Sequence, residues 1–384
     1  MSTLGKVGVG VIGANSKKSW AAEAHIPALR GLPGRYEITA LSTTRQETAD
    51  EAARTFHVAN AFDSHTKLIA HPDVDLVVVT VKVAEHSEIV EAAIRAGKAI
   101  YCEWPLGNGL AESEQMAKLA QDEGVLAAIG LQGRAAPVVR RVRDLITEGF
   151  VGKVHSTSII ASGGNWGEIV SRAGSYIADR ANGATMLEIN LGHTADALCW
   201  CLGEFQELSS YIETLTGTIR LLETGETIPK TAPDQITVTG ILTSGAVASI
   251  HYRGGISQAT NFHWEINGSE GDLVVTLDDP LGSLDSLKLL GSVGSIQLGE
   301  LKLAGARGGD KLAEIPIPDS YAVVPDAPRG LPFNLTQAYA VLADDLRDRT
   351  THPLTPTFDD ALVRHRMMDA IERAAQTGTR ATYL

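Results

Sequence analysis

"VGVGVIGANSKKSW", Val7–Trp20, is the stretch whose register decides how this chain is read. Gly8–Gly13 spells G-x-G-x-x-G literally. In that register Gly8 and Gly10 would lie inside a Val/Ile strand, whereas a dinucleotide fingerprint needs its glycines in the turn that follows. The turn therefore starts at Gly13, with Asn15 where a second glycine would stand and no third glycine. Asn tolerates a left-handed backbone better than most residues, so the turn can survive. A helix after it would aim its first N–H groups at a pyrophosphate, with Ser16, Lys17, Lys18 and Trp20 alongside. An ordinary βα loop has the same local look, so the surrounding pattern has to decide.

That pattern alternates. "VGVGVIG", "YEITALS", "VDLVVVTV", "KAIYCE" and "VLAAIG" are short Val/Ile-rich runs suited to strands buried on both faces. Between them, "RQETADEAARTF", "AEHSEIVEAAIRAG" and "LAESEQMAKLAQDEG" carry apolar residues three and four apart, the last two closed by Gly97 and Gly124. This predicts a doubly wound α/β Rossmann domain with a parallel sheet over residues 1–133. After a helix near Pro137–Glu148, alternating runs follow: "KVHSTSIIAS", "LSSYIETLT", "DQITVTGILT", "AVASIHYRGG" and "NFHWEINGSEGDLVVTLD". They predict an α+β domain over residues 134–384 with a large open, mostly antiparallel sheet. Gly282–Gly309 reads as loops and a hairpin at its edge, and Phe358–Gly378 as a helix.

Composition narrows the function classes. The 384 residues are 44% hydrophobic, enough for a sizeable core. Lys plus Arg (33) against Asp plus Glu (46) gives a net charge of −13, a poor match to nucleic acid or an anionic membrane. The three cysteines, Cys102, Cys199 and Cys201, suit neither a disulfide framework nor a zinc site, and no metal is expected. With no signal-like N-terminus and no run of 18 apolar residues, a cytoplasmic protein is expected.

The end of the second strand selects the cofactor. An acid there would hold the ribose 2′-hydroxyl of NAD. Here stand Ser42, Thr43 and Arg45, which can hold a 2′-phosphate, so NADP(H) is favoured and NAD(H) remains compatible. The same residues could simply cap the following helix.

Several motifs occur in the order of one family: "VGVIGAN…AHIPAL", "VDLVVVTVKVAEHSEIVEAAIRAGKAIYCEWPL", "LQGRAAPVVRRVRDLITEGFVGKV", "EINLGHTADAL", "INGSEGDLVV" and "FDDALVRHRMMDAIERA". Along nearly its whole length the chain resembles the glucose-fructose oxidoreductase / inositol dehydrogenase / MocA family. Most members are NAD(P)-dependent oxidoreductases acting on sugars, cyclitols or related alcohols. Asn15, "VAEH", "EW", "GLQGR" and "GHTAD" look most like the branch of the fungal galactose-pathway repressor, a non-catalytic nicotinamide-binding regulator. The family's Glu-Lys-Pro is Glu103-Trp104-Pro105 here, so the ammonium that the resemblance implies for proton transfer is missing. The acid usual four residues before the active-site histidine is Ile189.

With that lysine absent, His193 is the expected acid/base; its ordinary pKa lies near neutrality. Asp196, one helical turn on, would orient or stabilise its ring, and Tyr176 and Glu188 are weaker proton donors. A His–Asp pair stapling a helix is the structural alternative. Glu103 is expected to order the nicotinamide ribose or its loop, and Trp104 to turn a flat apolar face to cofactor and substrate. Val81, His86 and Gln132 are placed beside the cofactor. Arg134 is expected to bind a substrate oxygen or cofactor phosphate, and Trp166 and Asn190 to line the substrate pocket.

Three functions remain open. The first is hydride transfer between a nicotinamide cofactor and a sugar-like, cyclic or bulky carbonyl, alcohol or imine. The second is a non-catalytic NAD(P)-binding regulator. The third and weakest is a sugar-binding protein that keeps the fold but neither activity. Subunit pairing through the open sheet, as a homodimer or homotetramer, is expected of each.

Overall fold

The computed structural model describes residues 5–16, 19–277, 293–348 and 354–384, and the chain divides into two compact units. In the first, strands β1 (Val7–Ile12), β2 (Tyr36–Ser42), β3 (Asn60–Phe62), β4 (Leu76–Val79), β5 (Ala99–Cys102) and β6 (Ala127–Ile129) form a parallel sheet in the order β3-β2-β1-β4-β5-β6. This is the doubly wound dinucleotide-binding order, with its switch point between β1 and β4. Helices α1 (Ile26–Arg30), α2 (Gln46–Thr55), α3 (His65–Ile69), α4 (His86–Arg95) and α5 (Leu110–Glu123) connect the strands. Gly124 closes α5 in the left-handed conformation at φ 62°.

The strands are apolar on both faces because both faces are covered. Leu76 and Val78 of β4 enter one apolar layer, with Val9, Val11 and Tyr101. Val77 and Val79 enter the other, with Ile100, Cys102 and residues of α3, α4 and α5. Gly8 and Gly10 are indeed strand residues. A Cβ on Gly8 would stand 2.0 Å from the Asp73 carbonyl, and one on Gly10 2.5 Å from Leu68. Those two glycines therefore serve close packing of the strand, not a phosphate.

The second unit holds α6 (Pro137–Thr147), β7 (Val154–Gly163), β8 (Ile169–Val170), α7 (Gly192–Leu202), β9 (Phe205–Glu213), β10 (Thr218–Leu221), β11 (Thr227–Pro229), β12 (Gln235–Leu242), β13 (Val247–Gly254), β14 (Phe262–Gly268), β15 (Gly271–Leu277), β16 (Leu301–Arg307) and β17 (Ala313–Glu314). Eight strands form one sheet, β17-β16-β15-β14-β7-β13-β12-β9, antiparallel except for the β7–β13 pair. β11, β10 and β8 make a small second sheet. Of the Gly282–Gly309 stretch, residues 282–292 lie outside the described residues, and β16 pairs antiparallel with β15 and with the edge strand β17 at one end of the sheet.

The chain passes between the two units more than once. Val323–Leu362 returns to the first unit, which is otherwise Met1–Gln132. Helix α8 (Pro332–Asp348) supplies Leu335, Tyr339, Leu342 and Leu346 to the apolar layer on the α1 face. The physical need is simple: α4 and α5 cover the other face, so without α8 much of this one would be bare. Helix α9 (Phe358–Thr377) follows and continues into the second unit. Among the described residues no helix is long and apolar enough to cross a membrane.

Candidate functional site

In the first unit the candidate site is the turn after β1, at the carboxyl ends of the strands. Gly13 has φ 96°, and a Cβ there would stand 3.0 Å from the Thr80 carbonyl and from Val81. Its N–H donates to the Ser42 carbonyl at 3.0 Å. Asn15 is exposed and does not take the left-handed conformation; Gly13 alone bends the turn. The Ser19 hydroxyl closes the loop, accepting from Asn15 N at 3.1 Å and Ala22 N at 3.2 Å. Ser16 and Trp20 are half-buried; Lys17 and Lys18 lie outside the described residues.

At the end of β2, Ser42 is buried, and the Thr43 hydroxyl contacts the Thr48 hydroxyl at 2.6 Å. Arg45 is exposed and precedes α2. A small glycine-bent turn at the switch point, with hydroxyls and an arginine beside it, fits the pyrophosphate and adenosine ribose of a nicotinamide dinucleotide.

Two residues placed beside the cofactor from sequence are structural instead. His86 is 1% exposed. Its Nε2 lies 3.1 Å from the Val81 carbonyl, and its Nδ1 lies 3.0 Å from the Pro105 carbonyl and 3.4 Å from Cys102 Sγ. The ring pins the loop after β4 to the segment after β5, and burial lowers its pKa. Trp104, joined to Pro105 by a cis peptide, is 4% exposed and sits in the apolar layer with Val79, Ile89 and Leu106. Its indole is taken up by the core, which corrects the expectation of an open face.

Glu103 lies at the end of β5, with its N–H on the Val79 carbonyl at 3.2 Å. A Cβ on Gly130 would come within 2.9 Å of Glu103 Oε1, so only glycine leaves room for that carboxylate. Oε1 stands 3.0 Å from His25 Nε2. Sequence reasoning missed His25, although it lies in the quoted "AHIPAL". Gln132, which ends the first of this unit's two segments, is buried, and its own side-chain Oε1 has no hydrogen-bond partner among the described residues.

In the second unit a wide π-turn, Leu187–Leu191, runs straight into α7. Asn190 and His193 are therefore three residues apart on one helical face, and both are buried. The Thr194 hydroxyl contacts the Tyr252 hydroxyl at 2.6 Å, fixing α7 against β13. Trp166 is 3% exposed; its carbonyl accepts from the buried Lys230 ammonium at 2.9 Å. A Cβ on Gly163 would meet both Met186 and the Trp166 ring, which brings this indole beside the π-turn. Trp166 Nε1, Asn190 Nδ2 and the Ser162 hydroxyl are buried without a hydrogen-bond partner among the described residues.

Asp196 does not have the expected role. Arg134 donates to it through Nε at 2.8 Å and Nη2 at 2.6 Å, and Arg364 Nε lies 3.6 Å away. Two guanidiniums claim its charge, and the same contact removes Arg134 from the role of substrate or phosphate ligand. Arg364 also pairs with Glu204, whose other oxygen accepts from the Tyr383 hydroxyl at 2.7 Å. Tyr176 stands in a separate 3-10 turn, Ser175–Ala178, with its carbonyl held by Asn182 and its phenol pKa raised by burial. Burial also raises the carboxyl pKa of Glu188, which accepts from Thr185 N at 2.9 Å. All three cysteines are free and buried, and among the described residues no cluster of His, Cys, Asp and Glu could hold a metal.

The fold and the turn at Gly13 define an oxidoreductase-family protein with an NAD-binding Rossmann unit, and residues 7–131 match the model "Oxidoreductase family, NAD-binding Rossmann fold". Residues 137–276 match "Gal80p, C-terminal domain". The chain belongs to the Gfo/Idh/MocA oxidoreductase family. It is 30% identical to the dehydrogenase aclE of Aspergillus oryzae, over 92% of this chain and 90% of that one. It is 32% identical to the galactose/lactose metabolism regulatory protein GAL80 of Kluyveromyces lactis, over 73% of this chain and 66% of that one. Levoglucosan dehydrogenase, solved with NADH and levoglucosan, shares the fold with a TM-score of 0.81 at 20% identity over 98% of this chain and 99% of that one.

Proposed function

We propose that this protein is an NAD(P)-dependent oxidoreductase acting on a hydroxylated, cyclic or bulky carbonyl or alcohol, or the matching imine. The observation that carries this is a set of buried polar atoms in the second unit without a hydrogen-bond partner among the described residues: Trp166 Nε1, Asn190 Nδ2 and the Ser162 hydroxyl. Such atoms cost about 1–3 kcal/mol each when left unpaired, and a hydroxylated ligand would satisfy them. A bound reduced nicotinamide supplies a hydride. The chain's own task is the proton, which goes to the substrate oxygen in reduction and leaves it in oxidation. His193, one helical turn from Asn190, is the group that would move it. Trp104 stands where the family resemblance places a lysine and has no such proton to give.

NADP(H) is the favoured cofactor, because Arg45 is exposed beside Ser42 and Thr43 and no acid ends β2. The buried free thiols suit a reducing, cytoplasmic setting.

A second reading follows from the match of residues 137–276: an NAD(P)-binding regulator without turnover. One experiment separates the two. NADH and NADPH are titrated by fluorescence, and sugars, cyclitols, ketones and imines are then screened at the reduced-cofactor band. Turnover of any member supports the enzyme. Tight cofactor binding with a silent panel favours the regulator.

For assembly, we propose a homo-oligomer through the open face of the large sheet. Ile160, Tyr211, Ile241 and Val247 are 44%, 77%, 38% and 58% exposed there. Their register places them on one face, Ile241 opposite Val247 and Ile160 beside His251. Val247→Glu should shift the mass in solution to that of a monomer; an unchanged mass refutes this surface.

A further inference from the structure

A fully buried imidazole stands behind Glu103. His25 is 0% exposed, with Nε2 3.0 Å from Glu103 Oε1 and Nδ1 2.7 Å from the Tyr339 hydroxyl. Nδ1 thus has a hydrogen-bond partner on α8, while Nε2 abuts the carboxylate at the end of β5 without hydrogen-bond geometry among the described residues. The Tyr339 hydroxyl is hydrogen-bonded to Nδ1, and Nε2 faces the carboxylate at ion-pair distance. Burial pushes the Tyr339 phenol well above its usual pKa, which keeps it a donor.

The ring also cannot turn. Trp20, Tyr101 and Tyr339 meet it edge to face, with centroids 6.0, 5.7 and 5.9 Å away. Tyr339 is fixed in turn, since the Tyr36 hydroxyl donates to its carbonyl at 2.8 Å. On the far side, Gly130 leaves just enough room for Glu103 Oε1. The carboxylate is thus held from behind by a clamped ring, at the carboxyl end of β5 in the sheet edge where doubly wound folds take their dinucleotides.

We propose that His25 is a positioning residue for cofactor binding. It holds the Glu103 carboxylate where it accepts hydrogen bonds from the ribose on the nicotinamide side, and Tyr339 fixes the orientation of the imidazole. A charged hydrogen-bonding group must be held in one geometry before its partner arrives, or its ordering weakens binding. The inference rests on the reading of the first unit as an NAD(P) site.

The test compares two ligands on the whole protein. One is the reduced cofactor that the unsubstituted protein binds more tightly. The other is ADP, which carries the adenine half and lacks the nicotinamide ribose. His25→Leu should weaken the cofactor about tenfold and leave ADP within about twofold, the size of loss expected when one polar contact to a charged group is removed. His25→Gln, whose amide can donate to Glu103, should recover most of that affinity. Tyr339→Phe keeps the packing, removes the hydroxyl and should cost about threefold on the cofactor alone, a fraction of a hydrogen bond; it stands in where His25→Leu does not fold. Equal losses for cofactor and ADP, or no rescue by His25→Gln, would overturn the inference and mark His25 as structural. Failure of the unsubstituted protein to bind either ligand would overturn the NAD(P) reading itself, and is seen before any substitution is made.

Discussion

Arg134 lays its guanidinium fork on Asp196, Nε on one carboxylate oxygen at 2.8 Å and Nη2 on the other at 2.6 Å, in a pair whose acid is 2% exposed. Removing one member of such a buried pair leaves the other charged and desolvated. Asp196→Ala should therefore cost about 3–5 kcal/mol, since Arg134 loses its anion and Arg364 is left with Glu204 alone. Urea denaturation measures this as a lower midpoint. An Asp196→Ala protein as stable as the unsubstituted one, with turnover lost, would restore Asp196 to a catalytic role.

His193 carries the proposed proton transfer. His193→Ala should lower turnover about 10²–10⁴-fold, the usual contribution of a positioned acid or base. Cofactor affinity, measured by fluorescence, should stay as it is, because the cofactor turn belongs to the other unit. Unchanged turnover would exclude the residue from the reaction.

Arg45 tests the cofactor preference. Losing charge-assisted hydrogen bonds to a 2′-phosphate removes about 1.5–3 kcal/mol. Arg45→Ala should then weaken NADPH about 10–100-fold and NADH hardly at all. Parallel loss for both cofactors would assign Arg45 to capping α2.

His86 predicts a pH effect on stability. Burial lowers its pKa in the folded chain from the ordinary 6.5, so the unfolded chain binds the proton more readily. Its contribution is complete above about pH 6.5 and is lost as pH falls below that value. Between the two pKa values the slope is at most about 1.4 kcal/mol per pH unit. Unfolding midpoints between pH 7.5 and 5 should fall less steeply for His86→Gln than for the unsubstituted protein. Identical slopes would mean that the ring does not titrate with unfolding.

The sequence by itself determined the elements and their class. Periods of two and of about three and a half residues are local, so β2 at Tyr36–Ser42, α5 before Gly124 and the sheet strands of the second unit could be read directly. The register of the glycine motif was legible for the same reason: a glycine inside a Val/Ile strand packs, and the one after it turns. His193 and Glu103 were singled out by motif order, and Asn190 and Trp166 with them, as the candidates on which the proposed function rests.

Only the tertiary structure decided what the charged and aromatic groups do. Arg134 and Asp196 are 62 residues apart, and His25 and Tyr339 are separated by 314. No periodicity links residues at such distances, because their pairing follows from which surfaces the fold must bury. The return of α8 to the first unit has that cause: a parallel sheet needs both faces covered, and its own crossover helices left one short. Trp104 is the clearest case. Its sequence position suggested a face for a ligand, and the same apolar indole was worth more to the core behind the strand.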